Sequence, residues 1–482
     1  MAPRVAIIGA GFGGLCMAIQ LERAGIGSYT VFEKADDLGG TWRDNSYPGA
    51  GCDIPSHLYS YSFEKYASWT RRYPGQPEIL EYLEHCAGKY GVKEKIRFGT
   101  EVRSAVFDGS HWEVTCTTGA PETYDVVVMG VGQLNRPHLP EISGMSDFEG
   151  TSFHSARWNH DHDLTGRRVA VIGNGSSAAQ FIPRVAERAE QLTVFQRTPN
   201  WVIPKPDALF GPLTKLAFHL VPGLQRAYRE WIYRYAEGTL YPALAQGWSA
   251  GMLKKRALDH LHAQVADPEL RAKLTPDYPP GCKRVVIDSS FYPALTRPNV
   301  DVVTDPIVRI TAKGVETVKG LREVDTIVYG TGFRSTEFLA PMDVAGRGGT
   351  SLRERWKGGA EAYLGISVPD FPNLFMLYGP NTNLGHNSII FMLECQVNHI
   401  MACLPHLSEQ GPIEVRPEVM AAWNRQLEAS MARMVWGNGC RSWYKTAEGR
   451  VTNNWPGPTT LYRRLTSRAP RPAYRPVRGT AD

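Results

Sequence analysis

The chain has no C-x-x-C pair. Its eight cysteines stand apart, at positions 16, 52, 86, 116, 282, 395, 403 and 440. That excludes a dithiol reductase and a thiolate zinc site, both of which need cysteines at close, fixed spacing. Reduced thiols in a cytoplasmic protein are the expectation. Long apolar runs are also missing. No stretch of about 18 apolar residues occurs, so no membrane span is expected. Val5 to Ile19 is apolar, but Gly9, Gly11, Gly13 and Gly14 interrupt it and Glu22-Arg23 follow. A strand, turn and helix explain that pattern better than a secretory core. Runs of like charge are absent too, and the net charge is only +5 over 482 residues. This excludes a protein that holds nucleic acid electrostatically. Composition is that of a globular protein, 43% apolar and 21% charged, and the length asks for two or three domains.

What is present is glycine in two places. Arg4 to Ile8 reads as a buried parallel strand, followed by Gly9-Ala10-Gly11-Phe12-Gly13-Gly14 and a helix from Leu15 to Ala24. A second strand, Tyr29 to Phe32, ends in Glu33. This is G-x-G-x-x-G in the context it needs, with an acid at the ribose position. Gly9 permits the turn, Gly11 lets backbone approach a pyrophosphate, and Gly14 allows close helix–strand packing. The helix start faces the phosphates, and Glu33 can hold ribose hydroxyls. The logic repeats at Gly173-Asn174-Gly175-Ser176-Ser177-Ala178, after the strand Val169 to Ile172. Gly9 to Glu33 and Gly173 to Arg197 span the same 24 positions, so one unit is repeated with acid exchanged for base. An acid there repels a 2′-phosphate, whereas Arg197, with Thr198 beside it, can bind one. The second site is therefore expected to take NADPH, on Gly173, Gly175, Ser176, Ser177, Arg197 and Thr198.

Between the two turns lies Phe148-Glu149-Gly150-Thr151-Ser152-Phe153-His154-Ser155-Ala156-Arg157-Trp158-Asn159. Its pattern, F-x-G-x-x-x-H-x-x-x-W, resembles the fingerprint of type I Baeyer–Villiger monooxygenases. One position departs, since the family usually has Pro or Asp where Asn159 stands. A longer stretch, Gly39-Gly40-Thr41-Trp42 through Tyr47-Pro48-Gly49 to Asp53, also resembles that family, which carries G-G-x-W-x(4)-Y-P-G-x(3)-D there. Further matches are Lys283-Arg284 and Ser442-Trp443-Tyr444, so the resemblance covers residues 4 to about 445. It implies FAD at the first turn, with Thr41, Trp42 and Asp53 lining the flavin and Tyr59 and Val102 as further flavin-side candidates. It implies Lys283 on the NADP 2′-phosphate, Trp443 at the nicotinamide ribose, and Arg284 beside a flavin C4a-peroxide with Asp53 orienting it. The activity implied is insertion of one oxygen atom of O2 beside a ketone carbonyl, giving an ester or lactone, with sulfoxidation as a side activity. A flavin monooxygenase acting on N or S is the nearest rival, but in that group the position of Trp158 is usually Tyr or Phe.

The expected fold is α/β: two Rossmann-like dinucleotide-binding domains, for FAD and NADP, with a helical insertion in the second. Residues 1–142 and 330–482 would form the FAD domain, 143–165 the linker, 166–200 and 281–329 the NADP domain, and 201–280 the insertion. Within the insertion, Leu213–Leu220, Gln225–Glu237 and Ser249–Ala266 read as amphipathic helices. They suit plain packing, a wall of the substrate site or a membrane-surface face. Asn159-His160-Asp161-His162-Asp163 reads as a polar loop rather than a metal site. His386 has no partner nearby in sequence and reads as a helix-start hydrogen bond. The protein is expected to be a cytoplasmic monomer or weak homo-oligomer whose partners are a small ketone and O2, with no metal.

Overall fold

The computed structural model describes residues 2–437, 442–468 and 470–477. Val5–Ile8 is the central strand of a five-stranded sheet. The order is Leu374–Met376, Val126–Met129, Val5–Ile8, Tyr29–Phe32, Ile96–Arg97, with every pair parallel. A strand covered on both faces must be apolar throughout; Val5–Ile8 and Val126–Met129 are buried at every position. Arg168–Ile172 holds the same place in a second sheet. Its order is Val300–Val303, Gln191–Phe195, Arg168–Ile172, Thr326–Tyr329, Thr151–His154, again all parallel. The repeat goes deeper than the glycine turns. In each unit a three-stranded antiparallel meander, Val102–Phe107 to Glu122–Tyr124 or Ile307–Thr311 to Gly320–Glu323, precedes the strand that returns beside the centre. This is the expected α/β class with two Rossmann-like units.

The stretch 143–165 is more than a tether. Thr151–His154 is the edge strand of the second sheet, in register with Thr326–Tyr329. Gly150 is required there, because a Cβ would lie 2.5 Å from the Asp325 carbonyl oxygen. Phe153 meets Trp158 edge-on at 5.2 Å, and Trp158 lies 5.4 Å from Phe181 on the second fingerprint helix, Ser176–Ala186. Tyr47 of the first unit reaches the same Phe181 at 5.8 Å. The two longest motifs therefore converge on one helix. His160 bonds Ser46 Oγ at 2.7 Å and His162 bonds Thr326 Oγ1 at 2.8 Å, so the His-Asp-His run spends its imidazoles on domain contacts.

The first fingerprint helix is Phe12–Arg23, starting earlier than Leu15 because Gly13 and Gly14 form its first turn. The insertion supplies Pro212–Leu220, Leu224–Tyr235 and Ala250–Gln264. The middle helix runs on into a π turn, Ala236–Leu240. Among the described residues no helix is long and apolar enough to cross a membrane. Cys16, Cys52, Cys86, Cys116, Cys395 and Cys403 are free, whereas Cys282 is disulfide-bonded. That corrects the expectation of reduced thiols throughout; no cysteine stands near Cys282 in sequence, so spacing carried no signal of a bond.

Two buried histidines set a pH limit. His57 and His154 are each 5% exposed, and burial pushes both imidazoles down to about 4, with Arg229 adding to the effect at His57 and the facing Gly332 backbone opposing it at His154. Unfolded, each takes a proton below about pH 6.5. Their contribution to stability is therefore complete above about pH 6.5 and is lost as pH falls toward about 4, at roughly 1.4 kcal/mol per pH unit for each. Urea unfolding between about pH 7 and about pH 4.5 checks this; a midpoint that does not move over that range contradicts neutral burial.

Candidate active site

The first glycine turn leaves backbone, not side chains, facing a ligand. Gly9 has φ +102°, and a Cβ at Gly14 would lie 1.8 Å from the Gly9 carbonyl oxygen. Gly40 presses on Gly11 so closely that a Cβ would stand 3.2 Å from its Cα. The helix Phe12–Arg23 begins at Gly11 without a side-chain cap, so its first N–H groups are left for an anion. Glu33 is buried at the end of Tyr29–Phe32, where Oε2 accepts from the Ala10 N–H at 2.8 Å and Oε1 meets Arg43 Nη1 at 3.2 Å. The carboxylate is thus already fixed beside the turn. Thr41 and Trp42 open the short helix Thr41–Asp44. Trp42 Nε1 donates to Tyr59 Oη at 3.0 Å, and Tyr59 packs edge-on to Phe12 at 5.2 Å. Val102 begins its strand two residues after Thr100, whose N–H donates to the Glu33 carbonyl at 2.8 Å. Trp42 and Tyr59 therefore gather at the start of the helix Phe12–Arg23, whereas Val102 is linked to it through Thr100 and Glu33. A dinucleotide fits a cradle built of glycine backbone and an uncapped helix.

The second turn repeats this. Gly173 has φ +107°, and a Cβ there would meet the Gly330 carbonyl oxygen at 2.4 Å. Gly175 heads the helix Ser176–Ala186 with no side-chain cap and no atom within 4 Å of an added Cβ. Ser176 and Ser177 form its first turn, and Ser177 faces Tyr47. Lys283 Nζ donates to Thr198 Oγ1 at 2.6 Å and lies 4.8 Å over the Tyr278 ring. Burial lowers the Lys283 ammonium from its ordinary range, and Arg197 lowers it further, with Asp277 opposing. Arg197 is exposed and makes no ion pair among the described residues. Two neighbouring cations, with Asp277 near Lys283 but no acid in ion-pair contact with either among the described residues, are relieved by a bound anion.

Between the turns the two units meet on one ion pair. Arg284 Nη2 lies 2.8 and 2.6 Å from the two Asp53 oxygens, Nε adds a bond at 3.1 Å, and Nη1 donates to the Leu384 carbonyl at 3.2 Å. Asp53 holds the guanidinium above even its ordinary range, against the cost of burial. A guanidinium has five N–H groups; among the described residues only Asp53 and Leu384 accept from it, so at least one remains for a bound oxygen anion. Gly49 brings the Asp53 loop into place. It has φ +85°, and a Cβ there would lie 2.6 Å from the Gln180 carbonyl oxygen of the second unit. Tyr47 Oη donates to Gln180 Oε1 at 2.8 Å, and Gln180 Nε2 donates to the Gly51 carbonyl at 2.9 Å. Tyr378 and Tyr444 flank Arg284. Burial raises both phenols, Tyr444 to about 12. Trp443 is half-buried against Tyr444, ring centroids 4.5 Å apart, and both pack in the apolar cluster that contains Cys282.

Sequence reasoning missed Glu237. It stands in the π turn, and its carboxylate accepts from Asn387 Nδ2 at 2.8 Å, the Thr459 N–H at 3.0 Å and Thr459 Oγ1 at 2.6 Å, with His386 Nε2 at 3.1 Å. His386 therefore has a partner after all, and the helix-start bond belongs instead to Ser388, whose Oγ accepts from the Ile390 N–H. His386 is two residues from Leu384, so Glu237 ties the insertion to the loop whose carbonyl holds Arg284. The available signal was weak: Glu237 is one of two acids, with Glu230, in an aromatic and basic stretch. Among the described residues no cluster of three His, Cys, Asp or Glu is arranged to hold a metal.

Residues 2–209 match the model of flavin-binding monooxygenase-like proteins. The chain is 42% identical to a Baeyer–Villiger monooxygenase of Streptomyces coelicolor and 41% identical to one of Pseudomonas aeruginosa, over 98% of this chain and 93% and 91% of theirs. Among solved structures it resembles an oxidised steroid monooxygenase bound to NADP, with TM-score 0.87, 32% identity and coverage of 98% and 99%. It equally resembles a closed cyclohexanone monooxygenase, with TM-score 0.87, 30% identity and coverage of 98% of each chain. Fold and site define a flavin monooxygenase with a second, nicotinamide-type nucleotide unit. The chain belongs to the Baeyer–Villiger monooxygenase family.

Removing the Glu237 carboxylate tests its place. Glu237→Ala leaves four donors facing a gap, which is expected to cost about 2–4 kcal/mol of stability. Urea unfolding measures it, and a loss below about 0.5 kcal/mol contradicts the buried anchor.

Proposed function

We propose that the protein binds FAD and NADPH and converts a ketone into an ester or lactone with one atom of O2. The observation that carries this is the Arg284–Asp53 pair, a fixed cation assembled from both nucleotide units. When bound, the flavin, reduced by NADPH, supplies the electrons and the activated oxygen. The chain's own residues do the rest. Arg197, Lys283 and Thr198 hold the 2′-phosphate, and the uncapped helix start at Gly175 takes the pyrophosphate. Gly9, Gly11 and Gly14 hold the FAD pyrophosphate, with Glu33 at its ribose and Thr41, Trp42, Tyr59 and Val102 around the flavin nucleotide. Trp443 closes on the nicotinamide side.

Arg284 remains a cation at every working pH, because Asp53 more than offsets the cost of its burial. Asp53 binds two of its nitrogens and so fixes the guanidinium plane. The free N–H then meets the negative charge that develops on the carbonyl oxygen as the ketone is attacked. Donors placed in advance for such charge are worth about 10²–10³ in rate. Tyr378 and Tyr444 keep their phenol protons near neutral pH, so neither adds a competing anion beside Arg284.

Two substitutions separate the roles. Arg284→Ala is expected to reduce flavin with NADPH at nearly the parent rate while ester formation falls at least about 100-fold. Retained ester formation removes Arg284 from the reaction. Arg197→Ala is expected to shrink the preference for NADPH over NADH in kcat/KM by about tenfold or more, and an unchanged ratio contradicts the 2′-phosphate assignment.

A further inference from the structure

The helical insertion has a second face that the oxygenase site does not use. Among the described residues, fourteen large apolar side chains are exposed, and nine of them fall between Leu209 and Met252. On the helix Pro212–Leu220, Leu213, Leu216 and Leu220 share one side at helical spacing, and Leu213 is 81% exposed. The opposite side of this helix is already satisfied, since Phe218 is buried 4.5 Å from the His57 ring. A helix apolar on both sides, with one side covered, has a further apolar neighbour to meet.

The patch continues onto the next helix through a ladder of rings. Phe218 lies 5.5 Å from Tyr228, Tyr228 stacks on Trp231 at 6.0 Å, and Trp231 stacks on Tyr235 at 6.2 Å. Trp231 is 56% exposed, and Trp248, leading into the third helix, is 67% exposed. The charge around these apolar groups is predominantly positive. Residues 209–256 hold seven Lys or Arg and only two acids, a surplus of five that equals the net charge of the whole chain, +5. One acid, Glu237, is turned inward onto His386, Asn387 and Thr459, and one cation, Arg229, onto the His57 and Ser60 carbonyls; of the rest, Arg234 pairs with Glu230 and Lys255 with Asp259, so the exposed surplus is still positive. Arg226 and Arg234 beside the ring ladder, and Lys254, Lys255 and Arg256 on the third helix, are exposed.

Leucines on one side of a short helix, indole and phenol rings beside them and an excess of cations around them match the surface of an anionic bilayer. A second copy of the chain would bring the same positive surplus and repel it. We infer that the insertion seats the enzyme on anionic phospholipid membranes, lying in the interface without crossing it. A ketone dissolved in the lipid then reaches an enzyme already held at that surface. This surface does not depend on which ketone is oxidised.

The test is sedimentation of the FAD-loaded full chain with two kinds of vesicle, phosphatidylcholine alone and phosphatidylcholine with about one third phosphatidylglycerol. The parent is expected to pellet with the anionic vesicles, weakly with the neutral ones, and less as salt is raised. Leu213→Asp combined with Leu220→Asp is expected to lower partitioning at least about tenfold. Both side chains are exposed, so turnover of a water-soluble ketone and bound flavin should match the parent and show that the variant is folded. Equal binding to neutral and anionic vesicles, or binding retained by the variant, overturns the proposal. A parent dimer in sedimentation velocity that the variant abolishes also overturns it, and assigns the face to a second copy.

Discussion

Everything in the catalytic region depends on one pair of charges drawn from opposite halves of the protein. Asp53 belongs to the loop that follows the first nucleotide turn, and Arg284 to the segment returning from the insertion into the second unit. A bidentate contact at 2.6–2.8 Å between them exists only while the two units stay docked. The docking is specified by backbone. Gly49 lets the first loop lie against the Gln180 carbonyl, and Gly281, with φ +92°, is hemmed in by Leu244 and Val435 just before Lys283. Side chains at either glycine would move one partner of the pair. A partly buried ion pair of this kind gives little net stability; its use is to hold a cation, with one donor free, at a fixed place.

The insertion joins these constraints from the other side. Its π turn lends Glu237 to His386, and the same loop lends the Leu384 carbonyl to Arg284. π turns inside helices often mark functional positions because one extra residue re-aims a side chain inward. The outer surface of the same helices carries the exposed leucines, the aromatic ladder and the surplus cations. One element therefore supports, through His386, the loop that holds Arg284 and also faces the exterior, and neither role takes residues from the other.

Much of this was legible in the residues, and for a physical reason. Gly9 and Gly173 need positive φ and close backbone approach, which are local demands that only glycine meets. Arg197 stood out because it replaces Glu33 at an equal count from the turn. The helices of the insertion were readable from periodicity, with boundaries shifted by one or two residues. What escaped were contacts between distant positions. His386 looked unpartnered because its partner is 149 residues earlier. The Leu384 carbonyl and the Gln180 amide carry no signature that sets them apart from other polar groups. Cys282 gave no hint of a bond for the same reason. Thr151–His154 sits in what reads as a linker, yet it completes a sheet through backbone pairing that the side chains do not announce.

The central claim is that a fixed cation between two nucleotide units directs activated oxygen onto a ketone carbonyl. The most direct measurement is a single turnover: protein reduced anaerobically with NADPH, then mixed with ¹⁸O2 and a panel of cyclic, aliphatic and aryl ketones plus a thioether, with products identified by mass. The account predicts an ester or lactone carrying one ¹⁸O atom. Sulfoxide with no ester from any ketone would contradict it and would make the protein a heteroatom oxygenase built on the same fold.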